Sequence, residues 1–167
     1  MATTMNPLIS CPYPGLRPFE SAEADIFFGR TRCVKDLLDR LLTLRFVAVT
    51  GPSGCGKSSL IRAGLLPAIL SSNVDGGGDW KVAFMRPGYD SIRNLAEALM
   101  DVFRDHFEAA QLSIDAIEAK LRIGPFSLTE ILAANKLAID GTFLLLVDEF
   151  EEVFREDCEI ARHGQRA

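Results

Sequence analysis

The sequence predicts an α/β fold: a three-layer P-loop core in which helices cover both faces of a parallel sheet, incomplete toward the C-terminus. Three observations carry this expectation. Short apolar runs rich in β-branched residues alternate with stretches of helical periodicity, the pattern of strands joined by crossover helices. A glycine-rich segment, Gly51 to Ser58, lies between one such run and one such helix. The last apolar run ends in two acids, Asp148 and Glu149. A chain of 167 residues with 48% hydrophobic and 25% charged residues is long enough for one domain with a core of its own.

Along the chain, residues 1–10 read as disordered and 11–30 as an extended arm. Three prolines and a glycine in CPYPGLRPF, Cys11 to Phe19, forbid a helix there. Residues 31–155 read as a partial nucleotide-binding domain and 156–167 as an irregular tail. In the first helix Val34, Leu37, Leu38, Leu41 and Leu42 share a face, with Thr31 as candidate N-cap. Phe46 to Thr50 reads as a buried strand. A helix then starts near Lys57, disturbed by Gly64 and Pro67, and Ser71 to Asp79 forms a loop. Trp80 to Arg86 reads as the second strand, stopped by Pro87 and Gly88. Asp90 or Ser91 caps a helix whose Ile92, Leu95, Leu99, Phe103 and Phe107 form a core stripe. A shorter helix covers Ser113 to Leu121. Ser127 and Glu130 match a capping box for a helix ending near Asp140, with Gly141 as its stop. The third strand runs from Phe143 to Val147.

Gly51 to Ser58 fits GxxxxGK[ST] at every fixed position. A loop that wraps a phosphate must turn its backbone N–H groups inward, and Gly51, Gly54 and Gly56 permit the dihedrals and the close approach. The helix that follows directs its positive end at the anion. In this reading Gly51, Ser53, Gly54, Cys55, Gly56, Lys57, Ser58 and Ser59 bind the phosphates. Lys57 reaches the β- and γ-phosphates, and the Ser58 hydroxyl is a ligand of Mg²⁺. A glycine-rich turn can match the pattern by chance, and the flanking strand and helix are what argue against that. Cys55 is read as a small tolerated residue pointing outward rather than a redox group.

The carboxyl end of a buried parallel strand is where open α/β folds bind ligands. There Asp148 is the second candidate Mg²⁺ ligand and Glu149 the candidate base for the attacking water. Solvated acids at a strand end are a common alternative, and Glu151 and Glu152 compete for the catalytic role. Phe150 and Phe154 read as core contacts.

The net charge of −5 argues against nucleic acid as partner. No window holds the roughly 18 apolar residues of a membrane span, and MATTMNPLIS lacks the pattern of a signal peptide. Four scattered cysteines without a CxxC pair read against a disulfide or zinc framework and for a cytoplasmic location.

The segments CPYPGLRPFE, FFGR, FVAVTGPSGCGKSSLIRAGLLPAIL, WKVAFMRPG and LLLVDEFEEVF, running in order from Cys11 to Phe154, resemble the novel STAND NTPases. These are AAA+-related bacterial signal-transduction ATPases, often fused to WD-repeat propellers. The resemblance implies ATP and Mg²⁺ as cofactors, a switch-like role in signalling, protein partners and possible oligomers. It places Phe28, Gly29 and Arg30 at the adenine. Many relatives carry Gln where this chain has Glu149, and Glu there favours hydrolysis. The family's sheet continues with a sensor strand, a fifth strand and a helical lid. Their absence from this sequence leads to the expectation of weak or no hydrolysis by the chain alone. A truncated, non-catalytic interaction fragment is the alternative. ABC ATPases and guanylate kinases share the loop. The former need an LSGGQ-like signature where this chain reads LTEILAANKLAID, and the latter lack the FFGR arm.

Overall fold

A computed structural model describes residues 14, 15, 17–71, 79–134 and 141–154. They belong to two compact units, Met1–Gly76 and Gly77–Ala167.

In the first unit the arm is not extended throughout, since Ser21–Ile26 form a 3₁₀-helix. Helix α1 spans Thr31–Thr43 and buries Leu37, while Leu42 stays exposed. Its N-cap is Arg30 without a side-chain cap bond, so Thr31 is the first helical residue and not the cap. The helix after the glycine-rich loop is built in three segments. Lys57–Ser59 (α2) and Leu66–Ser71 (α3) are α-helical, and Leu60–Leu65 between them is a π-helix. Pro67 accounts for the wider turn. A proline ring clashes with the carbonyl four residues back, here that of Ala63, and π geometry moves that carbonyl away. Gly64 faces α1 so closely that a Cβ there would lie 2.6 Å from Val34 Cγ2. The close approach seals a small core of Leu37, Ala63, Leu65 and Ile69.

The arm is tied to this helix by polar bonds. Phe19 N–H donates to Ser59 Oγ at 3.1 Å and Ser21 Oγ–H to the Arg62 carbonyl at 2.8 Å. Arg62 pairs with Glu20 at 2.6 Å. The rings of Phe19 and Phe27 meet at 5.5 Å.

Residues 46–50 do not form the expected buried strand. They carry no strand assignment, and Phe46 is 81% exposed. An apolar, β-branched run becomes a strand only when a neighbour completes its hydrogen-bond ladder. Among the described residues the sheet has two strands, β1 and β2.

These strands lie in the second unit. Strand β1 (Asp79–Met85) pairs in parallel with β2 (Gly141–Val147), in a register from Asp79 opposite Gly141 to Met85 opposite Val147. Gly141 opens β2, and the stretch before it that it is expected to stop, residues 135–140, lies outside the described residues. The strand alternation shows in the packing. Ala83 and Met85 are buried against Ala98, with Phe143, Leu145 and Val147 beside them. Helix α4 (Ser91–Ala109) supplies Ala98 and much of the larger core. Its Leu99, Phe103 and Phe107 pack with Ile117 and Leu121 of α5 (Ile114–Leu121) and Ile131 of α6 (Ser127–Ala134). Phe103 leaves helical geometry at φ −117°, ψ 27°, and its ring sits 5.5 Å from that of Phe143.

The cap of α4 is Asp90, one of the two residues the sequence offers, while Ser113, expected inside the next helix, is the cap of α5. Asp90 accepts from Arg93 N–H at 3.0 Å and Ser113 from Ala116 N–H at 3.2 Å. The capping box of α6 is not formed. Ser127 is already helical and buried, and its hydroxyl oxygen accepts from Gly124 N–H at 3.0 Å. The expected helical stretch to Asp140 lies partly outside the described residues. So do the tail 156–167, the N-terminal ten residues and most of the Ser71 to Asp79 loop.

Candidate functional site

The glycine-rich loop belongs to the first unit. Gly54 and Gly56 adopt φ of 76° and 88°, left-handed values that cost a side chain about 1–2 kcal/mol. Gly56 is the N-cap of the helix and accepts from Leu60 N–H at 2.9 Å, so the turn feeds the helix without a gap. Lys57 folds back over its own loop. Its ammonium donates to the Gly51 carbonyl at 3.0 Å and the Pro52 carbonyl at 3.1 Å. Those carbonyls are neutral acceptors, and a charged oxygen attracts the same cation more strongly. From the other side Arg30 Nη2 donates to the Cys55 carbonyl at 3.2 Å. Cys55 is exposed, with its sulfur close over Gly51, where a Cβ would lie 2.9 Å from it. Gly51, Ser53 and Gly54 are exposed, and Ser58 and Ser59 are half-buried. The Ser59 hydroxyl oxygen already accepts from the arm at Phe19, so it serves the arm as well as any ligand.

Of the three residues assigned to adenine, Phe28 is 80% exposed and Gly29 turns at φ 79°. Arg30 alone is bonded to the loop.

The acidic turn belongs to the second unit. The ladder runs to its end, since Asp148 N–H donates to the Met85 carbonyl at 3.0 Å. Asp148 Oδ1 accepts from Glu149 N–H at 3.1 Å, and Glu149 takes the left-handed backbone at φ 55°, ψ 41°. A second 3₁₀ turn, Phe150–Glu152, follows, with Glu152 N–H donating to the Glu149 carbonyl at 2.9 Å. Phe150 and Phe154 are exposed rather than core, and their rings stack edge to face at 5.9 Å.

Two residues tie the ends of β1 and β2 together: Arg86, which sequence reasoning missed, and Glu152, which it named only as a competing acid. Arg86 Nη2 lies 3.4 Å from Asp148 Oδ2 and 3.3 Å from Glu149 Oε1. Glu152 Oε2 accepts from Gly88 N–H at 3.1 Å. The cue to Arg86 was its position: a cation at the carboxyl end of one parallel strand stands beside the acids at the end of its neighbour. Glu152 gave no comparable signal, because its partner is a backbone N–H.

Each unit offers hard oxygen donors of its own, Ser58 in the first and Asp148 and Glu149 in the second. No group of three or more His, Cys, Asp or Glu that could hold a metal ion occurs among the described residues. Mg²⁺ is usually held by one or two protein oxygens completed by phosphates and water, and oxygen donors of this kind suit that ion.

A family model described as Novel STAND NTPase 1 matches residues 12–166. The chain belongs to this family. For a Novel STAND NTPase the match spans both units, from the proline-rich arm through the glycine-rich loop to the acidic turn. No solved structure matches the chain. No helix among the described residues is long and apolar enough to cross a membrane.

Proposed function

We propose that this NTPase module binds ATP with Mg²⁺ and acts as a nucleotide-dependent signalling switch. The observation that carries the reading is the ammonium of Lys57, lodged against the Gly51 and Pro52 carbonyls of its own loop. Phosphate oxygens offer the same cation charged partners, which add the attraction of opposite charges to the hydrogen bond. Gly54 and Gly56 give the loop its turn, and Ser53, Cys55 and Ser59 complete the set we assign to the phosphates. The exposed ring of Phe28, with Gly29 and Arg30, is assigned to the adenine. Ser58 and Asp148 would hold Mg²⁺, which when bound offsets phosphate charge. Glu149 is the proposed base. Glu152 is the weaker claimant because its carboxylate is already engaged with Gly88 N–H. Turnover is expected to be slow, a reading supported by the exposed, unladdered segment 46–50 that feeds the loop.

Lys57→Ala tests the core of this proposal. Calorimetric titration with ATP and Mg²⁺ should show affinity falling by about 2 kcal/mol or more, the cost of losing one charged partner. Equal affinity of variant and parent would refute it.

A further inference from the structure

We propose that Arg86 is a positioning residue: a built-in counter-ion that competes with a divalent cation for Asp148. The proposal rests on the assignment of Asp148 to Mg²⁺.

Three features of the second unit point to it. First, Arg86 is shared. One guanidinium nitrogen lies within 3.4 Å of Asp148 and within 3.3 Å of Glu149, so one cation offsets two adjacent carboxylates that would otherwise repel each other. Second, the backbone of Arg86 is held on both sides while its side chain is partly open to solvent. Asn94 Nδ2 donates to the Arg86 carbonyl at 3.2 Å and to the Pro87 carbonyl at 2.7 Å, and Pro87 is fully buried. Gly88 is held by Glu152. The Arg86 side chain itself is 44% exposed. Its guanidinium can therefore leave Asp148 by rotating about side-chain bonds, with no change in the turn. Third, the two acids differ. The Asp148 side chain is 16% exposed and that of Glu149 42%. The more buried carboxylate gains more from a close cation, because water screens it less. Arg86 and a metal ion therefore contend chiefly for Asp148, while Glu149 can keep the arginine.

The consequence is a threshold. Without nucleotide the charge of the Asp148–Glu149 pair is already partly offset, and a free divalent cation meets both a competitor and a like charge. A cation that arrives with phosphate oxygens brings further ligands and can displace the arginine. Arg86 thereby makes metal capture depend on nucleotide.

The test is titration of the nucleotide-free, full-length chain with Mn²⁺, followed by water-proton relaxation. Arg86→Gln removes the charge and keeps a polar side chain. It should bind Mn²⁺ about three- to ten-fold more tightly than the parent, the scale of one or two exposed charge interactions. Arg86→Lys should restore weak binding. Adding Asp148→Asn to Arg86→Gln should abolish the gain. The advantage of Arg86→Gln should also narrow as salt is raised from about 0.05 M to about 0.5 M, which a purely structural role would not produce. The proposal is overturned if Arg86→Gln binds Mn²⁺ no more tightly than the parent, or if its gain survives Asp148→Asn. A separate titration of the parent and Asp148→Asn with ATP and Mn²⁺ checks the metal assignment itself. Loss of Mn²⁺ capture there, together with no gain in Arg86→Gln, would leave Asp148 as ligand and remove only the role of Arg86.

Discussion

Glu149 occupies a backbone that L-residues seldom take, φ 55°, ψ 41°, at a cost of about 1 kcal/mol or more. The turn is held by its own N–H bonded to Asp148 and its carbonyl bonded to Glu152 N–H. The side chain is left outside those bonds, paired with Arg86. This separation of backbone and side-chain roles yields a prediction about mechanism. In an intact relative built around these residues, Glu149→Gln should lower kcat for phosphate release by about ten-fold or more, with ATP affinity within about two-fold of the parent, because a general base acts in the transition state. Glu152→Gln weakens the acceptor of one hydrogen bond. It should cost about 1 kcal/mol or less in stability and spare turnover. If turnover survives the first change and is lost in the second, the base is misassigned. Another carboxylate at this scale reports on the arm. Arg17 grips Glu23 with two bonds, of 2.7 and 2.6 Å, and the Glu20 N–H adds a third, holding the Glu23 pKa down from 4.5 to about 2. A depressed carboxylate pKa stabilises the folded form fully above the ordinary value, and the contribution is lost as pH falls from 4.5 toward 2. A carboxyl-carbon NMR titration should find Glu23 with a midpoint near 2, and Arg17→Ala should move it back toward the ordinary value. An unshifted Glu23 in the parent would show that the grip is not maintained in solution.

Among the elements, α4 does the most packing. Its Leu99, Phe103 and Phe107 are buried to the last few per cent, and Phe103 also meets Phe143 of β2. The outer face of the same helix is ionic. Arg93 reaches Glu97, Asp115 and Glu118, while Arg122 after α5 reaches Asp90 and Glu118. Hydrogen bonds from Arg93 and then Arg122 lower the pKa of Glu118, and the Arg93 N–H followed by the charge of Arg122 lowers that of Asp90. These groups are exposed or half-buried at the surface, so their worth to stability is small beside the core. Phe103→Ala should cost about 3–5 kcal/mol, since it empties a fully buried site between α4 and β2. Chemical denaturation monitored by circular dichroism would measure it. A loss below about 1 kcal/mol would mean that the ring is not buried as described.

At the scale of the whole molecule, the segment Arg45 to Thr50 is a liability. It combines β-branched and aromatic residues with little charge, and Phe46 is largely exposed. Such a run with no ladder partner is a template for pairing with another copy. Light scattering of the purified chain should therefore show self-association that rises with concentration, and Phe46→Lys should reduce it. A monodisperse monomer at high concentration, unchanged by the substitution, would rule this out.

Read as sequence alone, the chain already determined its local chemistry. Asp90 caps α4 because a short polar side chain before an amphipathic run has one good use for its oxygen. Gly54 and Gly56 take left-handed backbone because the loop pattern requires it. The apolar runs of β1 and β2 were legible from composition and spacing, as was the stripe of α4. Non-local partnership was not. The run Phe46 to Thr50 has the composition of a strand, yet a strand exists only through a neighbour, and no run names its neighbour. Ser127 matched a capping box, but a closer donor, the Gly124 N–H, took its hydroxyl. Arg86 was an ordinary surface charge, and Glu152 one of several competing acids, until the parallel register set the ends of β1 and β2 side by side. Hydrogen bonds within a few residues are fixed by covalent spacing. Bonds across some sixty residues of chain, such as Arg86 to Asp148, form only because the buried faces of the two strands select one register, and that choice belongs to the tertiary structure.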